Sequence, residues 1–289
     1  MEFSMSALSP KPTLVMGARG AVGAHVLTGL IARGAPVRAS VRRPEPGRFP
    51  EGVEVVAADL TDRSTLDAAF DGVGSVFLYA VPEGVEGVVA AARAAGVEQI
   101  VLLSSGSVIH PTSRGNAITE EHREVEEAFA ASGLTVVPIR PLVLATNALN
   151  WSFPIKANRA VALYQPDAMT APIHERDIAA VVVAALTGAD GTSELLTGPS
   201  RLSQRDQVVA IGAALRREID VAELSRDDAL GQYVRFMPEH EAEAVLQFLD
   251  DAAAGNSPAT DTVRRILGRP ATAFSEWATE HVADFSAAR

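Results

Sequence analysis

The chain contains no cysteine. That absence removes disulfides, thiolate nucleophiles and cysteine-ligated zinc together. Aromatic residues make up only 5% of the 289 positions, so any tyrosine acid must be Tyr79, Tyr164 or Tyr233. No apolar run reaches the ~18 residues that a membrane-spanning helix requires. The six histidines show no H-E-x-x-H spacing, so no metal site is expected. Positive charge is also short, with 25 Lys and Arg against 36 Asp and Glu and a net charge of −11. Direct nucleic-acid binding needs clustered cations and is therefore disfavoured, although a local basic pocket is not. The opening "MEFSMSALSPKP" lacks the pattern of a secretion signal and reads as a loose tail. These absences leave a soluble, cytoplasmic globule, with 47% apolar residues and a length near the upper limit for one core.

Short apolar runs alternate with helical patterns through the first half. Strands are expected at 13–16, 37–41, 53–57, 75–80, 99–105 and 134–141. Between them lie helices at about 21–33, from near Ser64, at 85–95 closed by Gly96, and over 119–133 with Thr119 as N-cap. Strands joined through helices imply parallel crossovers, and continuously apolar strands imply burial on both faces. The fold class is therefore α/β, a doubly wound parallel sheet. After Pro141 the pattern weakens, then resumes with a helix at 174–188, a strand at 193–199, a helix at 204–217 and an acidic helical tail. Residues 12–150, with 174–200 returning to them, form the expected nucleotide-binding domain. Segments 151–173 and 201–289 form a smaller, mainly helical region covering the carboxyl edge of the sheet, where ligands bind in such folds.

At that edge "MGARGAVG" places Gly17, Gly20 and Gly23 between the first strand and the first helix. Gly17 suits a tight turn, Gly20 close approach of a pyrophosphate, and Gly23 close packing of helix on strand. Between a strand and a helix these glycines read as a dinucleotide site. The end of the second strand selects the dinucleotide. NAD sites carry an acid there for the ribose 2′-hydroxyl. This chain has Arg42 and Arg43, with its nearest acid, Glu45, beyond Pro44. Guanidinium groups pair with phosphate, so NADP(H) is favoured over NAD, and Arg19 adds a further cation. Asp59 either accepts from an adenine amino group or caps the following helix.

These motifs, with "ADLTD", "AARAAGVEQIVLLSS", "EEHREVEEAFAASGLTVVPIRP", "HERDIAAVVVAAL" and "ELLTGPSRLSQRDQV", resemble the NmrA-like branch of the atypical short-chain dehydrogenases/reductases. That branch includes NADPH-dependent quinone reductases and redox-sensing regulators. The resemblance covers nearly all of 13–286 and implies a Rossmann sheet. It also implies that Gly17, Arg19, Gly20, Val22, Arg42, Asp59, Leu60 and the strand end Tyr79–Ala80–Val81 line the dinucleotide. Ser104, His122 and the segment Pro141–Leu142–Val143–Leu144 would lie nearer the nicotinamide. Two departures stand out: Met16 replaces the usual threonine before the first glycine, and Leu144 replaces an aromatic, although Asn147 follows as the pattern requires.

The wider superfamily protonates its substrate with a tyrosine and a lysine four residues later. Those positions fall at Ile118 and His122, so that pair is absent. Four side chains remain as candidate catalytic groups. His122 can bind the ribose or act as an acid near neutral pH, or lie on the helix surface among Glu120, Glu121 and Glu124. Ser105, with Ser107, can bond a substrate oxygen or cap a turn. His110 sits in a loop near the site. Tyr79 can donate its phenolic proton or simply pack. Arg140 is expected to pair a carboxylate, Asp177 to be a helix-start acid, and His174 to face a strand-to-helix junction. Asn147, Trp151, Phe153 and Tyr164 can wall a flat pocket, or the large aromatics can fill core, an alternative that weighs most for Phe153.

Three functions are compatible with this inventory. One is an NADPH-dependent oxidoreductase transferring hydride to a quinone or another small conjugated carbonyl, which needs less acid help than an isolated ketone. Another is a non-catalytic NADP(H)-sensing protein that signals through a regulatory partner. The last is a non-redox cyclase or isomerase reusing the pocket. A homodimer is also open, with 226–255 as a lid or a contact.

Overall fold

A computed structural model describes residues 11–286. The first ten residues of the opening tail lie outside the described residues. Seven strands form one sheet: β1 (Thr13–Val15), β2 (Val37–Val41), β3 (Glu54–Ala57), β4 (Ser75–Tyr79), β5 (Gln99–Leu103), β6 (Val136–Pro141) and, later in the chain, Leu195–Leu196. The intervening helices are α1 (Ala21–Ile31), α2 (Arg63–Phe70), α3 (Val85–Ala95) and α4 (Ala117–Ala131). The strand order is 3-2-1-4-5-6, with Leu195–Leu196 outermost, and every neighbouring pair is parallel. The order reverses between β1 and β4, so a crevice opens at their carboxyl ends.

The continuous apolar runs are explained by period-two alternation between two cores. Leu14, Val76, Leu78, Ile100 and Leu102 point to the face covered by α2, α3 and α4. Val15, Phe77, Val101 and Leu103 point to the opposite face, where Val22, Val26 and Leu30 of α1 meet Ile178, Val181 and Val182. Met16, in the family's threonine position, is 2% exposed and belongs to the first of these cores.

The rest of the chain contains β7 (Val161–Leu163), β8 (Met169–Thr170), β9 (the outermost sheet strand, Leu195–Leu196), β10 (Leu202–Ser203) and β11 (Val221–Glu223). With them come α5 (Ser152–Lys156), α6 (Glu175–Leu186), α7 (Gln204–Leu215), α8 (Arg226–Tyr233), α9 (Glu239–Ala253), α10 (Thr262–Leu267), α11 (Phe274–Glu280) and α12 (Val282–Phe285). Strand β7 pairs with β11 in parallel, and β8 pairs with β10 antiparallel. A third core joins Ile155, Val208, Ile211, Trp277 and Phe285 beneath these elements.

Several sequence expectations need correction. Helix α4 begins at Ala117 with Asn116 as its N-cap, because the Asn116 side chain accepts the Thr119 N–H at 3.3 Å while Thr119 itself is buried. The strand expected over 193–199 shrinks to two residues. Phe153 does not fill core. It is 70% exposed under the Arg159 guanidinium, 4.9 Å from the ring centroid, and Ile155 takes the inward position two residues on. None of the helices among the described residues is long and apolar enough to cross a membrane.

Candidate functional site

The glycine turn follows β1 directly. Gly17 has φ +62°, a conformation that disfavours side chains, and its carbonyl accepts the Gly20 N–H at 2.8 Å. Gly20 is then the N-cap of α1. A Cβ on Gly23 would stand 2.3 Å from the Gly17 carbonyl oxygen, so no other residue fits there without moving the turn. The ring of Tyr79, at the end of β4, closes the turn from one side. A Cβ on Gly17 would meet its Cε2 at 2.9 Å, and one on Gly20 its hydroxyl at 3.1 Å. The Tyr79 hydroxyl oxygen accepts the Gly23 N–H at 3.0 Å, and the ring packs edge-on against Phe77. Burial holds the Tyr79 phenol above its ordinary pKa, partly offset by that N–H. The structure thus brings Tyr79 to the glycines, where it props the turn.

A backbone cradle stripped of side chains, at a helix N-terminus, fits a pyrophosphate. Val22 is buried beside it, and the Ala18 N–H ties it to Ser40 of β2 at 3.0 Å. Arg42 and Arg43 leave the end of β2 and make no ion pair among the described residues. Glu45 folds back past Pro44 so that Oε1 meets Arg19 Nη1 at 2.9 Å and Oε2 meets Arg48 Nε at 3.0 Å. Sequence reasoning set Glu45 aside as an acid beyond Pro44 and did not pair it with Arg19. The only cue was its place between two prolines, and which way such a loop turns is settled by tertiary contacts.

Asp59 does not cap α2. That role falls to Asp62, which accepts the Ser64 N–H at 3.0 Å. Asp59 Oδ1 accepts the N–H and hydroxyl of Thr61 at 3.0 and 2.9 Å, which holds its pKa below the usual range, with a smaller contribution from the Arg42 charge. Leu60 and Ala80 are half-buried at the edge of the core beside it.

Beyond β5, Ser104 is buried and donates to Glu126 Oε1 of α4 at 2.6 Å, while Arg140 grips both Glu126 oxygens at 2.9 and 2.5 Å. Ser104 and Arg140 therefore anchor α4 to the sheet. Ser105 caps the short turn Gly106–Ile109, accepting the Ser107 N–H at 3.2 Å. His110 lies 3.1 Å from the Thr112 hydroxyl in a shallow cleft of about 340 Å³ between this loop and residues 255–258.

His122 lies one helical turn before Glu126, on the same face of α4 and nearer the carboxyl edge of the sheet. Its Nδ1–H donates to the Ile118 carbonyl at 2.9 Å, which leaves Nε2 with a free lone pair when the ring is neutral. Pro141 is buried, and the Leu142 N–H bonds to Leu196 of β9 at 3.0 Å. Asn147 is exposed, and Trp151 packs half-buried on the third core. The Tyr164 hydroxyl donates to Asp250 of α9 at 2.6 Å, and that partner holds the phenol above its ordinary pKa. Helix α9 also meets α4, where the Asn116 side chain donates to the Ala244 carbonyl at 2.8 Å. Helix α9 therefore spans from the helix bearing His122 to Tyr164.

His174 is the buried N-cap of α6, its Nδ1 accepting the Arg176 N–H at 3.1 Å. Asp177, fully buried, accepts the Thr272 N–H at 2.5 Å and pairs with Arg269 at 2.7 Å. No local sequence pattern signals that Glu175, His281 and Trp277 meet. Trp277 Nε1 donates to Glu175 at 3.0 Å, and His281 Nε2 lies 2.8 Å from it.

Comparison with known proteins agrees with this geometry. The family model described as NAD(P)H-binding matches residues 17–189. The chain is 38% identical over 281 residues to (4-alkanoyl-5-oxo-2,5-dihydrofuran-3-yl)methyl phosphate reductase of Streptomyces griseus, covering 94% of this chain and 99% of that one. It is 32% identical to an NAD(P)H azoreductase of Xenophilus azovorans, covering 95% and 99%. An NADPH-dependent quinone oxidoreductase from Escherichia coli, crystallised with NADPH, superposes with a TM-score of 0.77 at 22% identity, covering 93% and 99%.

Proposed function

The chain belongs to the NAD(P)H-binding family, and from that premise we propose that it is an NADPH-dependent reductase of a small, flat, conjugated acceptor, such as a quinone or an alkene conjugated to a carbonyl. The observation that carries this reading is helix α4, where Ile118 stands in the place of an acid and offers His122 only its carbonyl. A bound reduced nicotinamide supplies hydride. The chain's own groups then have to bind, orient and manage one proton. Gly17, Gly20 and Gly23 would admit the pyrophosphate to the backbone, and Arg42 with Arg43 would face the 2′-phosphate.

Reducing an isolated ketone concentrates charge on one oxygen and calls for a strong, positioned acid. A conjugated acceptor spreads that charge, so a histidine or solvent can complete the protonation. His122 Nε2 is the atom placed to hold that proton, because Nδ1 is committed to Ile118. The relatives support the same class, since by name one reduces a butenolide phosphate and another is an azoreductase, and both kinds of substrate are conjugated.

The test is NADPH oxidation at 340 nm with a simple quinone, an acyl butenolide and an isolated aliphatic ketone. Turnover of either conjugated compound without turnover of the ketone is expected. Reduction of the ketone alone overturns the reading. NADPH binding with no turnover of any acceptor favours the sensing alternative.

A further inference from the structure

The loop after β2 brings the acid beyond Pro44 back against the arginine of the glycine turn. Glu45 sits between Pro44 and Pro46, whose fixed φ angles restrict the loop, and Gly47 follows with φ +74°. Its two oxygens are shared between Arg19, inside the glycine turn, and Arg48, three residues on. Arg19 and Glu45 are 43% and 47% exposed, so water screens the pair and it contributes little to stability. The contact can therefore open, yet it keeps a negative charge against the cation that a 2′-phosphate would seek. Arg19 and Arg48 both hold the Glu45 carboxyl below the usual range, which keeps it charged at neutral pH.

Resting on the cofactor reading above, we propose that Glu45 is a specificity-determining residue that makes the ribose 2′ position two-sided. In that role its carboxylate accepts from the 2′-hydroxyl of NADH, and it yields Arg19 when the 2′-phosphate of NADPH arrives. The arginines alone would make a strict NADPH site, because a phosphate bearing nearly two negative charges gains from each cation and a hydroxyl gains little. Glu45 offsets both preferences. It repels the phosphate and gives the hydroxyl the acid that NAD sites place here. The acid comes from the loop past Pro44 instead of the strand end.

The experiment compares wild type with Glu45→Gln, titrating NADPH and NADH by nicotinamide fluorescence without any acceptor, and competing with adenosine 2′,5′-bisphosphate and 5′-AMP. Glu45 is surface-exposed and its replacement is isosteric, so the fold is retained, which a thermal melt checks. The ratio of the NADH to the NADPH dissociation constant should rise at least about fivefold, and adenosine 2′,5′-bisphosphate should gain over 5′-AMP in parallel. A ratio unchanged within about twofold, or one that falls, overturns the role of Glu45 while leaving the cofactor reading intact. A wild-type protein that binds neither dinucleotide removes the cofactor reading itself.

Discussion

Two regions of this molecule are held by opposite means. The glycine turn, which we propose as the dinucleotide cradle, is made of backbone and glycine, rimmed by exposed charges that pair loosely, as Arg19 does with Glu45. The junction between α6 and the C-terminal helices is built on two buried side chains, His174 and Glu175, rimmed by the more exposed Arg176, Glu276 and Glu280. Glu175, with 4% of its side chain exposed, meets Trp277 and His281, His174 meets Glu280 at 3.2 Å, and Arg176 reaches Glu276 and Glu280 at 3.0 and 2.8 Å. A binding site has to release and reform its contacts, so its charges stay in water, where exchange is easy. A joint holding a covering region to a sheet must not open. Charges taken out of water there tolerate no missing partner.

The cradle should break through sterics alone. Gly23→Ala places a methyl where the Gly17 carbonyl stands, 2.3 Å away. Overpacking of this kind costs about 1–3 kcal/mol, and reopening the turn should weaken NADPH by roughly two orders of magnitude, read by fluorescence titration. If the variant binds like wild type, the turn is not the cofactor site.

The joint should break through electrostatics. Glu175→Ala strands His281 and the Trp277 N–H, and removing one member of such a buried set costs about 3–5 kcal/mol. A melting temperature lower by roughly 6–15 °C follows for a chain of this size. Burial is the largest single influence on the Glu175 carboxyl and raises its pKa, but His174, the Glu175 backbone N–H and His281 together outweigh it and bring the value to about 2. A folded pKa below the unfolded value means that the stabilisation is fully present above about pH 4.5 and is lost as pH falls towards 2. The Tm gap between wild type and Glu175→Ala should therefore be widest between about pH 4.5 and 6.5, close below that window, and narrow above it as His174, whose proton Glu175 helps to hold, is titrated. His25 of α1, lowered chiefly by burial and held up in part by the Glu175 charge, loses stabilisation in the same direction below pH 6.5, and does so more steeply in Glu175→Ala. A gap that persists unchanged into acid assigns the effect of Glu175 to packing instead of charge.

His122 belongs to the exchangeable side of the comparison. His122→Asn should leave NADPH affinity within about twofold and slow turnover of a conjugated acceptor by about 10- to 100-fold. Unaltered turnover would end its candidacy as a proton carrier.

The cradle was legible in the sequence and the joint was not, for the same physical reason. Alternation of strands and helices, two-sided apolar runs and glycines three residues apart are local patterns, so the sheet and the glycine turn could be read directly from residues 13–141. Glu175 and His281 are separated by 106 positions, and no local pattern pairs them. Glu45 lies between these cases. It is three residues from Arg42, yet the direction of a Pro-Glu-Pro loop depends on the cation it finds. Ser104 shows the same limit. The resemblance places it near the nicotinamide, and no local pattern indicates that its hydroxyl also finds Glu126, which α4 brings over the strand end. Asn116 displaced Thr119 as the cap since both residues favour that role, and only burial decides between them.

Phe153 offers the smallest expected effect and the finest discrimination. A large aromatic in an irregular segment reads as core, yet this ring is 70% exposed beside Arg159, whereas Ile155 on the same short helix is fully buried. Phe153→Ser should change stability by less than about 0.5 kcal/mol, whereas Ile155→Ala should cost about 2–5 kcal/mol, both measured by denaturant melts. Once stability is thus separated, the Michaelis constant of Phe153→Ser for a conjugated acceptor reports on the ring alone. An increase at constant turnover would place the exposed ring on the exchangeable side with Glu45 and His122, as a surface that a flat substrate crosses. An unchanged constant would leave it a solvent-facing partner of Arg159, and would confine the exchangeable region to the glycine turn, the arginine loop and α4.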